Sequence, residues 1–447
     1  MQKIVPFARR LNGNIFIPGD KSISHRAIMI GALAEGATEI EGFLASADCM
    51  HTCQCLRRLG ISIESNCAGS KKAGSGGQDN KLIVRGQGLW GLQEPAARLD
   101  AGNSGTTLRL LTGILAGQSF VSSLTGDASL RKRPMERVVV PLRQMGARIR
   151  GVPAVGGEEG IFAPLTITGG KLQPISYRLP VASAQVKSAL LLAGLYAPGW
   201  TEVMEPVATR NHTELMLEAF GAQLEREGQM VRVKGQLPLK ARKVAVPGDL
   251  SSAAFLLVAG LIVPDSRIVI KGVGLNPTRR GLIDVLLAMG ASLRISDQEE
   301  IAGELRGTIE VESSSLHGIS LGGEIIPRLI DELPILAVAA LFAHGVTEIR
   351  DARELKVKES NRIIAICEGL TRLGGQVEEL DDGLRIRGGA SLQGTICQSF
   401  GDHRIAMSLA VAALGAIGET IIEDADVTEV SFPGFWTLLD ELRSGNK

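Results

Sequence analysis

Residues 99–117 read LDAGNSGTTLRLLTGILAG, and this stretch contains the pattern that decides the fold. Its polar, glycine-rich lead at 103–107 runs directly into an apolar segment that carries Arg109 and stops at Gly117. The pattern predicts a helix whose N-terminus is left open. Small residues there let a ligand approach the free backbone N–H groups, and the helix dipole favours an anion.

The same polar-to-apolar pattern recurs five more times, at 21–36, 183–199, 249–264, 331–345 and 402–418. Each copy continues into a short β-like segment, and most copies add an amphipathic helix that ends in a phrase such as LRRLG (56–60). Six copies in 447 residues average about 75 residues each, and repeats of this kind bury their faces against one another. We therefore predict an α/β (α+β) fold of two similar domains, each built from three repeated helix-and-sheet units.

The apolar segments are hydrophobic nearly all round, which predicts that they lie inside a core. At about 11 to 14 residues they are too short to span a bilayer. The stretch 237–247 lacks a repeat helix and contains two prolines, so we place a crossing between the domains there. The N-terminus lacks the long apolar run of a secretory signal.

Composition excludes several classes of function. The 48 basic and 48 acidic side chains cancel, which argues against a nucleic-acid-binding surface, and the 4% aromatic content leaves few platforms for base stacking. Cys49, His51, Cys53 and Cys55 could suggest a metal cluster, but no second ligand pair at zinc-like spacing follows. We expect reduced thiols, no metal, and a cytoplasmic protein that binds neither nucleic acid nor membrane.

Two stretches of the first three units suggest anion binding. Lys21, Ser22 and Arg26 stand at the start of the first apolar segment, where ammonium, hydroxyl and guanidinium groups suit a phosphate. A capping serine with solvated charges is the alternative, but the apolar residues that follow favour a buried helix start. The basic run 131–133 is equally consistent with a solvated loop and with an anion clamp.

The Ser-, Gly- and Lys-rich segment 66–80 predicts a mobile hairpin loop.

The third and fifth units supply further candidates. Ser183 and Gln185 offer neutral donors at a helix start, whereas Lys187 is expected only to snorkel from a core helix. Asp331 opens an apolar segment, where the pKa of a carboxylate can be tuned, although a helix cap is the simpler interpretation. Lys358, Glu359 and Arg362 follow, and the sixth unit adds Asp402, His403 and Arg404. Dense positive charge around an acid is typical of a site that handles anions and a proton together.

Several long motifs occur in a fixed order along the whole chain: PGDKSISHR, GNSGTTLR, GDASLRKRPM, SAQVKSALLLAGL, TRNHTE, NPTR, DELPILAVAA, RELKVKESNR and GDHRIAMS. In this order they resemble the 5-enolpyruvylshikimate-3-phosphate synthase family, and its class II branch more than class I. The resemblance implies an inside-out, barrel-like α/β fold with buried parallel helices and an active site in the cleft between domains. The N-terminal strand would belong with the C-terminal half, giving domains at 19–242 and at 1–18 plus 243–447.

The resemblance also implies an activity without metal or cofactor. The 5-hydroxyl of shikimate 3-phosphate adds to C2 of phosphoenolpyruvate as C3 is protonated, and the tetrahedral intermediate then eliminates phosphate. Asp331 would be the partner of the hydroxyl, and Lys21 and Glu359 the proton carriers. The residues implied for shikimate 3-phosphate are Ser22, Arg26, Ser183, Gln185, Arg210, Asp331 and Lys358. Ala184 is implied as a further substrate-binding residue. Those implied for phosphoenolpyruvate are Lys21, Gly105, Arg133, Gln185, Arg362 and Arg404. We expect a monomer.

One departure and two alternatives accompany the resemblance. Class I members have a lysine shortly before a final Phe-Pro, where this chain has Val430. The sister enolpyruvyl transferase for UDP-N-acetylglucosamine usually places a reactive cysteine in the loop matching 126–134, which contains none here. A non-catalytic scaffold that binds an anionic partner is the distant alternative, and it has no need of Asp331 and Glu359 among so many cations.

Overall fold

The computed structural model describes residues 1–65, 80–153, 160–301 and 303–445. All of the loop predicted at 66–80 except Asn80 lies outside these ranges. The buried apolar residues form two clusters, one drawn from 23–246 and the other from 5–17 and 250–442. We call residues 19–246 the first half and residues 1–18 with 247–445 the second half, because each contains one of these cores.

The chain begins with strands β1 (Lys3–Pro6) and β2 (Asn12–Phe16) and then enters the first half. Its elements are α1 (Lys21–Leu33), β3 (Ala34–Glu41), α2 (Ala47–Arg58), β4 (Ser62–Ser65), β5 (Lys81–Gln87), β6 (Leu99–Asp100), α3 (Gly105–Ala116), β7 (Val121–Thr125), α4 (Glu136–Gln144), β8 (Arg148–Val152), β9 (Phe162–Thr168), β10 (Ser176–Arg178), α5 (Ala184–Gly194), β11 (Trp200–Met204), α6 (His212–Ala219), β12 (Leu224–Glu227), β13 (Met230–Lys234), β14 (Leu239–Lys240) and β15 (Lys243–Ala245).

The second half repeats this order in its first two units, with the short helix α9 added, and its last unit has no hairpin among the described residues. They are α7 (Leu250–Ile262), β16 (Arg267–Gly274), α8 (Gly281–Ala288), β17 (Ser292–Ile301), β18 (Glu304–Glu312), β19 (Ser320–Leu321), α9 (Ile326–Leu329), α10 (Leu333–Leu341), β20 (Val346–Ile349), α11 (Arg362–Arg372), β21 (Gln376–Leu380), β22 (Gly383–Arg387), β23 (Ile396–Gln398), α12 (His403–Leu414), β24 (Glu419–Glu423) and α13 (Phe435–Ser444).

The strands form six separate sheets, one for each predicted unit. In five sheets the strand that follows the core helix pairs antiparallel with the second strand of a hairpin and parallel with a strand from elsewhere in the chain. The orders are β14-β3-β5-β4, β6-β7-β9-β8, β10-β11-β13-β12, β2-β16-β18-β17 and β19-β20-β22-β21, with the shorter β1-β24-β23 as the sixth. This repetition confirms the predicted fold, although none of the sheets among the described residues closes into a barrel.

Two pairings tie the ends of each half together. Strands β1 and β2 pair with β24 and β16, so the N-terminus completes two sheets of the second half. Strand β15 pairs with β3 over Lys243–Ala245, beyond the boundary placed at 242. That boundary stays a prediction, but the chain keeps its contact with the first sheet up to Ala245.

The core helices α1, α3, α5, α7, α10 and α12 are buried on nearly every side because they are apolar all round. In α7, every residue from Leu250 to Leu261 is buried. A Cβ added to Gly113 of α3 would lie 2.2 Å from the carbonyl oxygen of Ala189 in α5, so only glycine permits this approach of the two helices. In the described ranges, no helix is long and apolar enough to cross a membrane.

Candidate active site

Six core helices start at or beside one cavity between the two halves. Four of them are capped by a side chain that accepts from a first-turn N–H: Asp20, Ser104, Asp249 and Asp402. Ser183 caps α5 in the same way at 3.4 Å. The caps occupy only some of the free N–H groups, so these helix starts direct positive dipole ends towards the cavity.

Every residue that the sequence assigned to the site lines this cavity. They are Lys21, Ser22, Arg26, Gly105, Arg133, Ser183, Ala184, Gln185, Arg210, Asp331, Lys358, Glu359, Arg362 and Arg404. Nine come from the first half and five from the second, so tertiary structure joins segments more than 300 residues apart. Within the described ranges, no residue after Arg404 lines the cavity. No cation from the C-terminal end of these ranges therefore replaces the class I lysine that is absent at Val430.

The described lining is strongly cationic. Its basic residues are Lys21, Arg26, Arg109, Arg133, Arg137, Arg210, Arg279, Lys358, Arg362 and Arg404, and its acidic residues are Asp48, Asp249, Asp331, Glu354 and Glu359. Positive charge exceeds negative charge twofold on this count. A small cleft with such an excess attracts ligands that carry several negative charges.

Lys21 is the first residue of α1, and its Nζ lies 3.0 Å from Asp48 Oδ2. Burial alone would lower the pKa of this ammonium, but the nearby carboxylates of Asp48 and Glu359 outweigh burial and raise the pKa above its ordinary value. Lys21 is therefore protonated at neutral pH. It can neutralise an anion or donate a proton to a reacting atom.

Asp331 does not cap a helix. The N-cap of α10 is Glu332, and the Asp331 carboxylate instead contacts Arg210, Lys358 and Arg362, with Lys358 Nζ and Arg362 Nη1 each at 3.4 Å. Burial favours its neutral form, but Lys358 and Arg210 hold the pKa of Asp331 well below its ordinary value. The group is a carboxylate at neutral pH, as a proton acceptor must be.

Glu359 lies between cations of both halves. Its Oε2 is 2.6 Å from Arg362 Nη2, and its Oε1 is 3.5 Å from Arg133 Nη1. Burial would raise the pKa of Glu359, but Arg362 and Arg133 hold it well below the usual range. Arg362 is only 1% exposed and is fixed from behind by Asp402, whose Oδ2 accepts from Nε at 2.8 Å. An anion that engages these arginines would loosen their hold on Glu359 and raise its pKa.

Side chains of the first half complete the cavity wall. Arg26 donates to the hydroxyls of Thr213 and Ser188 at 2.6 and 2.8 Å, and burial lowers its pKa to about 10. Gln185 accepts from Arg109 Nη1 at 2.6 Å and donates to Thr106 Oγ1 at 3.0 Å. These contacts fix the orientation of the Gln185 amide.

A family model described as EPSP synthase (3-phosphoshikimate 1-carboxyvinyltransferase) matches residues 6–439. The chain belongs to the EPSP synthase family. It is 54% identical over 442 residues to a 3-phosphoshikimate 1-carboxyvinyltransferase of Desulforamulus reducens, with 99% of each chain covered. It is also 54% identical over 439 residues to one of Bacillus thuringiensis, with 98% of each covered.

Solved structures agree with this EPSP synthase family assignment. An EPSP synthase from Acinetobacter baumannii matches with a TM-score of 0.85 and 42% identity, covering 99% of this chain and 98% of that one. The enolpyruvyl transferase NikO from Streptomyces tendae matches with a TM-score of 0.76 at 20% identity, covering 98% and 96%. The second likeness concerns the fold alone.

Two predictions about single segments of this EPSP synthase family member are now resolved. In the basic run, Arg133 reaches the cavity and donates from Nη2 to Asn103 Oδ1 at 2.8 Å, whereas Arg131 and Lys132 are exposed. Arg133 therefore lines the cavity, and the two basic residues before it lie on the surface. The prediction that Lys187 snorkels was wrong, because its side chain is 2% exposed and its Nζ lies 2.7 Å from both Glu205 Oε2 and Glu214 Oε1.

Sequence reasoning missed several charged lining residues of this EPSP synthase family site. Asp48 lies in the first turn of α2, and no local pattern marks it as the partner of Lys21. Asp249 could have been found, since Pro-Gly-Asp occurs at both 18–20 and 247–249. Arg279 lies between the two aspartates, 3.4 Å from Asp249 and 3.8 Å from Asp20. Burial and the Asp20 charge raise the pKa of Asp249 to about 6.

Proposed function

We propose that this chain transfers the enolpyruvyl group of phosphoenolpyruvate to the 5-hydroxyl of shikimate 3-phosphate and releases phosphate. Its membership of the EPSP synthase family and its 54% identity to curated 3-phosphoshikimate 1-carboxyvinyltransferases support the assignment. The observation that carries it is the meeting of Lys21, Asp331 and Glu359 in one strongly cationic cavity. Two substrates that each carry a phosphate and a carboxylate repel one another, and fixed cations offset that repulsion.

In the addition step, a bond forms between the 5-oxygen of the sugar and C2 of phosphoenolpyruvate, while C3 gains a proton. Asp331 accepts the proton of the hydroxyl. Its neighbouring cations hold its pKa low, so it becomes an effective proton acceptor once substrate anions compete for those cations. Lys21, which is protonated, donates the proton to C3.

In the elimination step, C3 loses a proton and the bond between C2 and the phosphate oxygen breaks. We assign Glu359 as the group that accepts the proton from C3, because Glu359 is ionised and lies near Lys21. The departing phosphate takes the electron pair of that bond and gains one negative charge, which Lys21, Arg133, Arg362 and Arg404 stabilise. The two protons then held by Asp331 and Glu359 return to Lys21 and to the phosphate, which restores the starting protonation of the site.

The remaining lining residues bind and orient the substrates. Arg26, Arg210, Lys358, Ser22 and Ser183 are assigned to shikimate 3-phosphate, Gln185 is assigned to both substrates, and Ala184 is a further binding residue. Gly105 leaves room at the start of α3 for phosphoenolpyruvate. We further propose a cytoplasmic monomer that needs no metal. Light scattering during gel filtration tests the monomeric state, and unchanged turnover in EDTA tests the absence of a metal requirement.

The decisive experiment measures phosphate release from the purified protein with shikimate 3-phosphate and phosphoenolpyruvate. Release that depends on both substrates supports the proposal. The control replaces shikimate 3-phosphate with UDP-N-acetylglucosamine. Release with the control substrate alone would assign the chain to the sister reaction instead.

A further inference from the structure

Lys187 holds two buried carboxylates behind the cavity wall. Its Nζ is 2.7 Å from Glu205 Oε2 and 2.7 Å from Glu214 Oε1, and all three side chains are at most 6% exposed. None of the three lines the cavity. Burying three charges is costly unless they hold one another in a defined geometry, and such a cluster is weak evidence of stabilisation by itself. Its neighbours in the chain indicate another role.

The first connection leads from Lys187 to Arg210. Glu205, at the end of β11, accepts a hydrogen bond from the hydroxyl of Thr209. Thr209 is buried and directly precedes Arg210, which enters the cavity and pairs with Asp331. The segment between β11 and α6 is therefore anchored at the residue next to this arginine.

The second connection leads from Lys187 to Arg26. Glu214 directly follows Thr213, and Lys187 directly precedes Ser188. The hydroxyls of Ser188 and Thr213 lie 2.6 Å apart, and both accept from the guanidinium of Arg26. The Lys187–Glu214 ion pair and the Ser188–Thr213 contact thus join α5 to α6 at the two groups that orient Arg26.

We propose that Lys187 is a positioning residue for the sugar-phosphate side of the active site, acting through Glu205 and Glu214 on Arg210 and Arg26. Nothing in the family assignment gives this role to Lys187. The inference rests on the proposed function, because it assigns both arginines to shikimate 3-phosphate. A long arginine side chain loses much rotamer freedom when it binds an anion, and support fixed before binding removes part of that cost.

The two connections can be broken separately without changing the charge of the site. Thr213→Val removes one acceptor of Arg26, and Thr209→Val removes the anchor next to Arg210. We expect each variant to raise the Kd for shikimate 3-phosphate, measured by calorimetry, by about tenfold. The KM for phosphoenolpyruvate at saturating shikimate 3-phosphate should change by less than about twofold, since neither arginine is assigned to that substrate.

Matched controls separate positioning from stability. Thr213→Ser and Thr209→Ser keep the hydroxyl and should restore the wild-type Kd. Thr201→Val is a control in the same half, because Thr201 is fully buried and its hydroxyl has no hydrogen-bond partner among the described residues. It should leave the Kd unchanged. A Kd that follows the melting temperature across all these variants would overturn the proposal.

Lys187 itself is tested in a triple variant, Lys187→Met with Glu205→Gln and Glu214→Gln, which removes all three charges while keeping the volume. The folded triple variant should bind shikimate 3-phosphate at least about tenfold more weakly than wild type. Wild-type affinity in this variant and in both valine variants would contradict the role of Lys187. Wild-type protein that binds shikimate 3-phosphate but releases no phosphate with phosphoenolpyruvate would contradict the proposed function and leave the affinity comparison intact.

Discussion

Arg210 of the first half forms an ion pair with Asp331 of the second half across the cavity. Two further pairs cross in the same way, Arg133 with Glu359 at 3.5 Å and Arg137 with Glu354 at 3.0 Å. Both carboxylates assigned to proton transfer are thus held by an arginine from the opposite half. The site is complete only when the halves meet.

The first prediction is that shikimate 3-phosphate draws the halves together in solution. The cations along the two walls repel one another until an anion lies between them, so ligand binding should favour the compact arrangement. Small-angle scattering should show a smaller radius of gyration with shikimate 3-phosphate than without it. Arg26→Ala at the same ligand concentration is the control and should show a weaker change. An identical radius with and without saturating ligand would contradict the prediction.

The second prediction concerns Asp331→Asn. The amide keeps the shape of the side chain but cannot accept the hydroxyl proton, so kcat should fall by roughly two to four orders of magnitude. The Kd for shikimate 3-phosphate should change little, in contrast to Arg26→Ala, which should weaken binding. Turnover close to wild type would show that Asp331 only holds its neighbouring cations in place.

The third prediction is a pH-dependent contribution of Asp331 to stability. Its pKa in the folded protein is below the ordinary value near 3.8, because Lys358 and Arg210 outweigh the effect of burial. Such a group contributes stability that is fully present above its unfolded pKa and is lost as the pH falls towards its folded pKa. Urea unfolding should therefore show Asp331→Asn less stable than wild type at pH 7, with the difference shrinking below about pH 4.

The exposed Asp381 provides the control for this titration. Asp381→Asn should change the free energy of unfolding little at any pH, since exposed single charges contribute weakly. A difference between wild type and Asp331→Asn that is as large at pH 3.5 as at pH 7 would rule out this account of the carboxylate.

The fourth prediction concerns Gly105 and glyphosate, which the family resemblance implies as a competitor of phosphoenolpyruvate. Tolerant class II members are associated with alanine at this position, whereas this chain has glycine and should be inhibited. An added Cβ would lie 2.8 Å from Arg109 Nη1 and 3.4 Å from Arg133 Nη1, inside the anion-binding wall. Gly105→Ala should therefore raise the inhibition constant about fivefold to a hundredfold, and the KM for phosphoenolpyruvate less.

Steady-state inhibition of both proteins measures this effect. Gly170→Ala is the matched control, because an added Cβ there meets nothing within 4 Å. It should leave both constants unchanged. Equal inhibition constants for wild type and Gly105→Ala would mean that the methyl group does not reach the inhibitor.

The repeated units and the helix starts could be predicted from the local amino-acid pattern. Apolar segments such as 250–261 are hydrophobic nearly all round, which predicts core helices with the polar residues before them at the helix ends. Charged residues are costly to bury and are therefore expected at the helix starts, although Lys187 is buried within α5. This is why Lys21, Arg26, Asp331, Glu359 and Arg404 could be predicted as site residues from local pattern and resemblance together.

Which charges face one another could not be predicted from the local pattern, because it depends on how the helices pack. Asp48 pairs with Lys21, Arg210 with Asp331, and Lys187 with Glu205 and Glu214, and no spacing in the sequence marks these partners. The spacing of apolar residues along the sequence predicts which side of a helix is buried, because that side is set by local sequence. The position of one helix relative to another depends on packing across the whole chain. The pKa shifts, the cross-cavity pairs and the burial of Lys187 all follow from that packing.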